Sequence, residues 1–326
     1  MRAILCKNFG PASQLVIEDV KSPEVKGSGV LVRVQAAGLN FPDTLIIEGK
    51  YQIKPPFPFS PGGEIAGEVI AVGDKVRRFK VGDRVMGLTG YGGFAEEIAV
   101  VEQNLMPLPE NMSYQQAAGF TMVYGTSYYA LKQRANLQAG ETLLVLGASG
   151  GVGLAAVEIG KAMGARVIAC ASSAEKLEVA RQAGADELLN YQEQDLKETV
   201  KKLTKNQGAN VIYDPVGGAF SEEALRSIAW EGRHLVVGFA AGDIPRLPLN
   251  LTLLKSCQVV GVFWGAFAMR DPKANQQNMI ELLGLFQSGK IKPHVSQVFP
   301  FEAYEAALNC LTERKATGKI VLNVGG

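Results

Sequence analysis

The chain has 326 residues, 47% of them hydrophobic and 20% charged, which is typical of a globular protein of about two domains. Lysine and arginine number 33 against 32 acidic residues, so the net charge of +1 gives no bulk attraction to nucleic acid or to a membrane surface. The cysteines Cys6, Cys170, Cys257 and Cys310 have neither metal-pair spacing nor disulfide density, and we expect a soluble cytoplasmic protein.

The N-terminal part of the sequence predicts a compact β domain. Short apolar or alternating runs, separated by Gly, Pro and Asp turn signals, predict strands over residues 29–38, 63–73, 82–88 and 93–101. Pro107 and Pro109 mark the exit from this domain, and residues 113–135 favour a helix.

From Thr142 onward the sequence alternates between strand and helix patterns. Strands are predicted over residues 142–148, 165–171, 187–191, 210–218, 234–239 and 257–263. Helices are predicted between them, and one of these has Ser172 and Glu175 at the spacing of a capping box. Since parallel strands are joined by right-handed crossovers, the pattern predicts an α/β fold with a doubly wound, six-stranded parallel sheet.

The C-terminal residues predict a return to the first domain. Residues 259–269 are strongly apolar, but this stretch is broken by glycines and is shorter than the roughly 20 residues of a membrane span. Beyond it come a helix, a strand, a helix and a last strand over residues 318–324, too few elements for a separate domain. The predicted domains are therefore 1–122 with 266–326, and 123–265.

The glycine-rich segment LGASGGVGLAA, residues 146–156, predicts a nucleotide site. It lies between a predicted strand and a predicted helix, which is the context that a dinucleotide-binding loop requires. Glycines allow the backbone to approach a pyrophosphate, and the first turn of the helix supplies unpaired N–H groups. The residues expected to contact the cofactor here are Ala148, Gly150, Gly151, Val152 and Gly153.

The end of the next predicted strand favours NADPH over NADH. An NAD site carries an acidic residue there to bind the ribose hydroxyls, whereas this chain has Ser172 and Ser173, followed by Lys176. Hydroxyl groups and an ammonium group suit a 2′-phosphate. The alternative is that Ser172 only caps the helix and Lys176 is solvated, and both descriptions can hold together.

Several segments together resemble one known family. The chain is similar to the zeta-crystallin-like NADPH:quinone oxidoreductases of the medium-chain dehydrogenase/reductase superfamily in AAGLNFPDTLIIEGKY (36–51), PGGEIAGEV (61–69), GGFAEE (92–97), GASGGVG (147–153), YDPVGG (213–218) and ATGKIVL (316–322). The resemblance implies a GroES-like, β-rich catalytic domain, a Rossmann domain that binds NADPH, and a homodimer formed through the last Rossmann strand.

The zinc ligands of the superfamily's alcohol dehydrogenases are missing from this sequence. Asn40 stands at the cysteine position and Gly63 at the histidine position, and His234 and His294 are the only histidines. A zinc site needs three or four suitable ligands, so we expect none. Without a Lewis acid, the predicted reaction is hydride transfer to an activated small-molecule acceptor, a quinone or conjugated enone.

The resemblance also implies roles for individual residues. Asn40 and Tyr51 would line the acceptor site and polarise its carbonyl by hydrogen bonding, and Thr126 would meet the nicotinamide carboxamide. Tyr191 would join Ser172 and Lys176 at the 2′-phosphate, and the nicotinamide half would be flanked by Gly238, Phe239, Ala240 and Phe263. As structural alternatives, Asn40 could hold a turn, Tyr51 could pack on the surface, and Phe239 could belong to the core.

Two other functions stay open at this point. An enoyl-thioester or enone reductase of the same superfamily would need basic residues for a phosphate-bearing arm, such as Lys50 and Lys54, or Arg270 and Lys273. A non-enzymatic, crystallin-like protein would bind NADPH without turnover. Ile47 and Glu48 stand where many relatives carry arginine, which leaves the preferred acceptor open.

Overall fold

A computed structural model describes residues 1–325 and divides the chain into two compact units. Unit 1 comprises Met1–Met122 and the chain from Pro293 onward, and unit 2 comprises Val123–Lys292. The first boundary coincides with the predicted one. The second lies later than the predicted boundary at 265/266, so residues 266–292 belong to unit 2 and not to unit 1.

The secondary structure is numbered along the described chain. The strands are β1 Arg2–Leu5, β2 Val16–Asp19, β3 Gly29–Gly38, β4 Glu64–Val72, β5 Arg84–Leu88, β6 Glu97–Val101, β7 Leu105–Pro107, β8 Thr142–Val145, β9 Arg166–Ala171, β10 Glu187–Asn190, β11 Ala209–Asp214, β12 Ile228–Val236, β13 Gln258–Gly261, β14 Val295–Pro300 and β15 Lys319–Asn323. The helices are α1 Phe41–Ile47, α2 Tyr114–Ala118, α3 Thr121–Tyr129, α4 Gly151–Ala162, α5 Ala174–Gln182, α6 Leu196–Leu203, α7 Ala219–Arg226, α8 Asn250–Lys255, α9 Trp264–Arg270, α10 Pro272–Gln287 and α11 Tyr304–Thr312.

Unit 1 is built on a β-sheet in the order β14-β15-β3-β4-β5-β7, with β6 also paired to β3. Its pairs are antiparallel except for β14 and β15, which run parallel. Valine and isoleucine side chains of β3 and β4, such as Val32, Val34 and Ile65, are buried in its core. This matches the predicted β-rich domain, to which the C-terminal strands β14 and β15 return.

Unit 2 contains a six-stranded, all-parallel sheet in the order β10-β9-β8-β11-β12-β13. Its central strands are continuous apolar runs because helices cover both faces of such a sheet. Leu144, Ile168 and Ile212, one from each of three central strands, are fully buried. The predicted doubly wound, six-stranded parallel Rossmann domain is confirmed.

Helices α9 and α10 belong to unit 2 because they pack on its other helices. The rings of Tyr129 and Phe267 stack with their centroids 4.2 Å apart. Lys132 lies in the π-helical turn that continues α3, and its Nζ pairs with Oε2 of Glu281 in α10. These contacts between residues far apart in sequence were not visible in the helical pattern, which explains the misplaced second boundary.

Two further features of the described chain concern its cysteines and the apolar character of its helices. The four cysteines, Cys6, Cys170, Cys257 and Cys310, are free and buried. Burial raises the pKa of each of these thiols, which keeps them unreactive. Within residues 1–325, no helix combines the length and the apolar character needed to cross a membrane.

A buried carboxyl group in unit 2 makes its stability depend on pH. Glu158 of α4 accepts hydrogen bonds from the Tyr124 hydroxyl and, at 3.1 Å, from the backbone N–H of Lys292. Burial raises the pKa of Glu158 to about 7, although these hydrogen bonds oppose the shift. A carboxyl whose pKa is higher in the folded state stabilises the fold below its unfolded pKa, and this stabilisation is lost as the pH rises through 7.

We therefore expect Glu158→Gln to make the stability of unit 2 less dependent on pH. The neutral amide keeps the shape of the side chain and can still accept the hydrogen bond from Lys292. Urea unfolding of both proteins between about pH 5 and pH 8 measures the effect, and the variant should be at least as stable as the parent at the upper end. If the variant lost as much stability with rising pH as the parent does, Glu158 would not be the source of the pH dependence.

Candidate active site

The residues predicted to bind the cofactor lie at one edge of the unit 2 sheet. The carboxyl ends of parallel strands meet at the same edge, which is where ligands bind in such sheets. The loops that follow β8, β9, β10, β11, β12 and β13 leave this edge. These loops carry the predicted residues Ala148, Gly150, Ser172, Ser173, Tyr191, Gly238, Phe239, Ala240 and Phe263, whereas Gly151, Val152 and Gly153 form the first turn of α4 and Lys176 lies in α5.

The glycine loop makes a tight turn from β8 into α4. Gly147 has φ +57°, and its carbonyl oxygen accepts a hydrogen bond from the Gly150 N–H at 3.0 Å. Gly150 is the N-cap, so α4 begins at Gly151 and its first N–H groups have no acceptor within the helix. A Cβ atom on Gly153 would lie 2.2 Å from the Gly147 oxygen, so only glycine allows this close packing. The turn thus presents backbone donors of the kind that bind phosphate.

The structure separates the roles of the two serines after β9. Ser173 caps α5, since its Oγ accepts a hydrogen bond from the Lys176 N–H at 3.4 Å. The prediction of Ser172 as the cap was therefore wrong by one residue. Ser172 instead lies at the strand end, where its Oγ accepts a hydrogen bond from Lys176 Nζ at 3.4 Å. A hydroxyl group and an ammonium group thus lie side by side where a ribose 2′-substituent is bound in such folds.

The aromatic residues at this edge are accessible. Phe239 is 37% exposed and Phe263 is 61% exposed, so neither belongs to the core, and the core alternative for Phe239 is excluded. Tyr191 packs its ring against that of Phe220, with centroids 4.4 Å apart. Thr126 is half-buried in α3. Apolar surface is therefore available at the edge where the cofactor's rings would lie.

Ser127 was not predicted as a site residue, although it supports the glycine loop. Its buried hydroxyl donates to the Val152 carbonyl at 2.8 Å, and the Tyr213 hydroxyl lies 2.8 Å from the Ser127 Oγ. It therefore ties α3, next to Thr126, to the start of α4. A lone serine in an apolar helix gives no sign of such a contact; its position beside Thr126 was the only available signal.

Asn40 of unit 1 lies in a buried polar network directly after β3. Its Oδ1 accepts a hydrogen bond from Lys319 Nζ at 2.7 Å. Its Nδ2 donates to Glu64 Oε2 at 3.0 Å and, more weakly, to the Gly38 carbonyl at 3.4 Å. Because these amide hydrogens are directed at protein oxygens, the geometry does not match the predicted role of Asn40 in polarising a bound carbonyl. It favours the alternative in which Asn40 holds the turn into α1.

Lys319 is the centre of this network, and the sequence did not single it out. The ammonium group is almost fully buried and donates to Asn40 Oδ1, to the Leu39 carbonyl at 2.8 Å and to Glu64 Oε2 at 3.1 Å. The other carboxylate oxygen of Glu64 accepts a hydrogen bond from the Met122 N–H at 2.8 Å. A lysine at the start of the buried strand β15 was the signal that could have revealed this ion pair.

Asp43 and Tyr51 lie next to the same network. Asp43 accepts hydrogen bonds from the backbone N–H groups of Asn40 at 2.8 Å and Gly63 at 3.1 Å, which gives it a structural role. Burial raises the pKa of Asp43 to about 7, against the opposing effect of these hydrogen bonds. Burial and then the charge of Asp43 raise the pKa of the half-buried Tyr51, which stays protonated and can donate a hydrogen bond.

The residues of this region do not fit a zinc ion. In the chain from residue 1 to 325, no group of three or more His, Cys, Asp or Glu side chains is placed to hold a metal. The carboxylates of Asp43 and Glu64 are occupied by protein donors. His234 is buried with its Nε2 3.2 Å from Asp214 Oδ2. Among the described residues, the side chains around Asp43 and Glu64 therefore do not match the donor set of a tetrahedral zinc site.

Comparison with known proteins gives consistent matches over the whole chain. Residues 26–110 match the alcohol dehydrogenase GroES-like domain family, and residues 151–284 match the zinc-binding dehydrogenase family. The chain is 43% identical to quinone oxidoreductase-like protein 2 homolog of Nematostella vectensis, over 99% of this chain and 88% of that protein. It is 34% identical to human quinone oxidoreductase, over 99% and 97% of the two chains. The structure of Escherichia coli quinone oxidoreductase complexed with NADPH superposes with a TM-score of 0.91 at 29% identity, covering 99% of this chain and 100% of the other.

Proposed function

The chain belongs to the medium-chain dehydrogenase/reductase superfamily, among its quinone oxidoreductases, and we propose that it transfers hydride from NADPH to a quinone or related conjugated carbonyl without a metal ion. The observation that carries the proposal is the edge of the unit 2 sheet. There the glycine loop and the Ser172–Lys176 pair offer donors for a pyrophosphate and a 2′-phosphate at two neighbouring strand ends.

NADPH supplies the hydride, and the protein supplies binding and orientation. The first-turn N–H groups of α4 bind the pyrophosphate, and Ser127 fixes that turn through the Val152 carbonyl. Lys176 and Ser172 bind the 2′-phosphate, with Tyr191 beside them. Thr126 holds the carboxamide, and Gly238, Phe239, Ala240 and Phe263 flank the nicotinamide half.

A quinone is electron-poor and needs only a hydride and a proton, so its reduction does not require a Lewis acid. The protonated Tyr51 hydroxyl donates a hydrogen bond to the acceptor oxygen, and the proton comes from water. Asn40 acts as a positioning residue, because its amide holds the turn between β3 and α1 through Glu64 and Lys319.

The charges beside Tyr51 favour a quinone over a thioester with a phosphate-bearing arm. Lys50 was a candidate to bind such an arm, but its Nζ lies 2.6 Å from Glu48 Oε2. Glu48 stands where many relatives have arginine, so the net charge here is lower than theirs. An anionic arm would therefore gain little from Lys50.

The test is NADPH oxidation at 340 nm with ortho-quinones, para-quinones, enones and crotonyl-CoA as acceptors. We expect turnover with quinones and much slower turnover with crotonyl-CoA. Faster reduction of crotonyl-CoA than of every quinone would support the thioester reductase instead. NADPH binding with no turnover of any acceptor would support the non-enzymatic alternative.

Removing the Lys176 ammonium group should weaken the binding of NADPH far more than the binding of NADH. We expect Lys176→Ala to raise the KM for NADPH by about 10–100-fold, since a charge-assisted contact to phosphate contributes about 1.5–3 kcal/mol. The KM for NADH should hardly change, because NADH has no 2′-phosphate. Steady-state kinetics with both cofactors measure the difference. Equal effects on the two cofactors would show that Lys176 does not bind the 2′-phosphate.

We also propose that the protein is a homodimer formed through β13 of unit 2. This strand is at one end of the sheet, and an unpaired edge is a template for pairing with a second chain. Val259 of β13 is 41% exposed, and in the segment that leads into this strand Leu249 and Leu253 are 77% and 79% exposed. Exposed apolar surface of this kind marks an interface. The free cysteines are in keeping with the reducing cytoplasm that we propose as its location.

Charge on this face should therefore break the dimer. We expect Leu249→Glu combined with Leu253→Glu to give a monomer by light scattering, since each new carboxylate would have to be desolvated in the interface. As a control, Val81→Glu alters a residue of unit 1 that is 61% exposed and should leave the dimer intact. A parent protein that is monomeric, or a double variant that stays dimeric, would contradict the proposal.

A further inference from the structure

Four aromatic residues of unit 1, Phe9, Phe57, Phe59 and Tyr91, form what we call the aromatic ridge. Successive ring centroids lie 4.7, 5.7 and 6.2 Å apart along this series. Phe59 is buried, whereas Phe9 and Phe57 are each 42% exposed and Tyr91 is 40% exposed. Scattered apolar residues on a surface need no explanation, but three half-exposed rings connected through the buried Phe59 indicate a binding surface.

One end of the ridge adjoins the segment that carries Tyr51. A Cβ atom on Gly49 would lie 3.0 Å from the ring of Phe9, so Phe9 packs directly on Gly49, two residues before Tyr51. The Gly10 N–H also donates to the Ile47 carbonyl at 2.9 Å, which fixes the Phe9 loop against the end of α1. One end of the ridge therefore packs on the segment that carries Tyr51, the residue that we assign to the acceptor oxygen.

The other end of the ridge leads to a pocket of about 540 Å³ in unit 1. Tyr91 belongs to both features, and the pocket is also lined by the apolar side chains of Met1, Ala3, Leu5, Val20 and Ile98. This volume lies within the range of small-molecule pockets. Tyr91 thus connects the ridge to the pocket, whose lining also includes the polar residues Ser60, Thr89, Glu97 and Asn104.

Two lysines close in sequence to the ridge are paired with acidic residues. Lys7, two residues before Phe9, has its Nζ 2.6 Å from Glu18 Oε1, and Lys50 is similarly paired with Glu48. These ammonium groups are already neutralised by carboxylates. Aromatic faces with neutralised surroundings bind hydrocarbon better than phosphate.

We propose that the aromatic ridge and its pocket bind the hydrocarbon tail of the acceptor, and that the acceptor is a quinone with an isoprenoid or other alkyl tail. This inference rests on the proposed function and adds the substrate class. The tail lies along Phe9 and Phe57 and ends in the pocket beside Tyr91. Because the contacts of the tail are equal in the ground state and in the transition state, they lower KM and leave kcat nearly unchanged.

The experiment compares two benzoquinones with the same ring, one bearing a decyl chain and the other a methyl group, below the concentration at which micelles form. In the parent protein we expect kcat/KM to be at least about tenfold higher for the decyl compound, since each fully buried methylene contributes up to about fourfold. In Phe9→Ala combined with Phe57→Ala, this ratio should fall below about threefold. The Phe9→Leu, Phe57→Leu variant, which keeps apolar side chains, should give an intermediate ratio.

The ratio compares two substrates in one preparation, so it does not depend on the fraction of correctly folded enzyme. As a control, Trp230→Ala removes a 64% exposed aromatic side chain from unit 2 and should keep the parent ratio. A parent ratio near one, or a ratio unchanged in the double alanine variant, would overturn the tail subsite. If the parent protein reduces neither benzoquinone with NADPH, the proposed function itself fails.

Discussion

Replacing Lys319 with methionine is expected to lower the free energy of unfolding of unit 1 by about 3–5 kcal/mol. The ammonium group donates three hydrogen bonds and is the only cation bonded to the fully buried carboxylate of Glu64 among the described residues. Methionine has a similar length but removes the cation that pairs with this buried carboxylate. Urea unfolding, followed by hydrogen exchange of peptides from β3 and β4, measures the loss in unit 1.

Two controls separate the buried charge from other effects. Combining Lys319→Met with Glu64→Gln removes both charges, and this double variant should recover much of the lost stability. Lys315→Met breaks an exposed pair with Glu313 and should have no measurable effect, because water screens such pairs. A change of less than about 1 kcal/mol in Lys319→Met, or a double variant as unstable as the single one, would contradict this account.

Replacing Gly153 with alanine is expected to weaken NADPH binding by at least about 100-fold. The new Cβ would lie 2.2 Å from the Gly147 carbonyl oxygen, and because both atoms are fixed by the backbone the loop itself must shift. Losing two charge-assisted hydrogen bonds to the pyrophosphate gives an effect of this size. The displaced loop should also reduce stability by about 1–3 kcal/mol. Fluorescence titration with NADPH and thermal unfolding of the free protein measure the two effects.

Gly150→Ala is the matched variant in the same loop. Gly150 has φ −75°, and a Cβ there would meet only the Gly147 oxygen, at 3.4 Å, so the free protein should melt like the parent. If the pyrophosphate of NADPH lies against Gly150, the affinity of this variant for NADPH should still fall by at least about tenfold. Normal NADPH binding by either variant would show that this loop does not hold the pyrophosphate.

The fold could be predicted because its signals are local. Glycine and proline turn signals separate the strands of unit 1. After Thr142, the alternation of strand and helix patterns predicts a parallel sheet. The glycine loop was recognisable because the residues that form the turn are also neighbours in sequence. The boundary at Lys292 was missed because it depends on side-chain packing between α3 and α10, which the sequence pattern does not contain.

The polar network of unit 1 illustrates what sequence reasoning could not reach. Asn40 was identified as a site residue, but its amide direction is set by Lys319, 279 residues away in sequence. The cap of α5 was misplaced because Ser172 and Ser173 have equal intrinsic suitability, and only the backbone conformation decides between them. Residue types could therefore be predicted, whereas their hydrogen-bond partners required the structure.

The central claim is that hydride passes from NADPH to a quinone without a metal ion. The most direct measurement is the rate of NADPH oxidation with an ortho-quinone after dialysis against a strong zinc chelator, with the metal content determined on the same sample. We expect zinc-free protein to retain the full rate, and added Zn²⁺ to produce no increase. Activity that disappears on chelation and returns with Zn²⁺ would contradict the account.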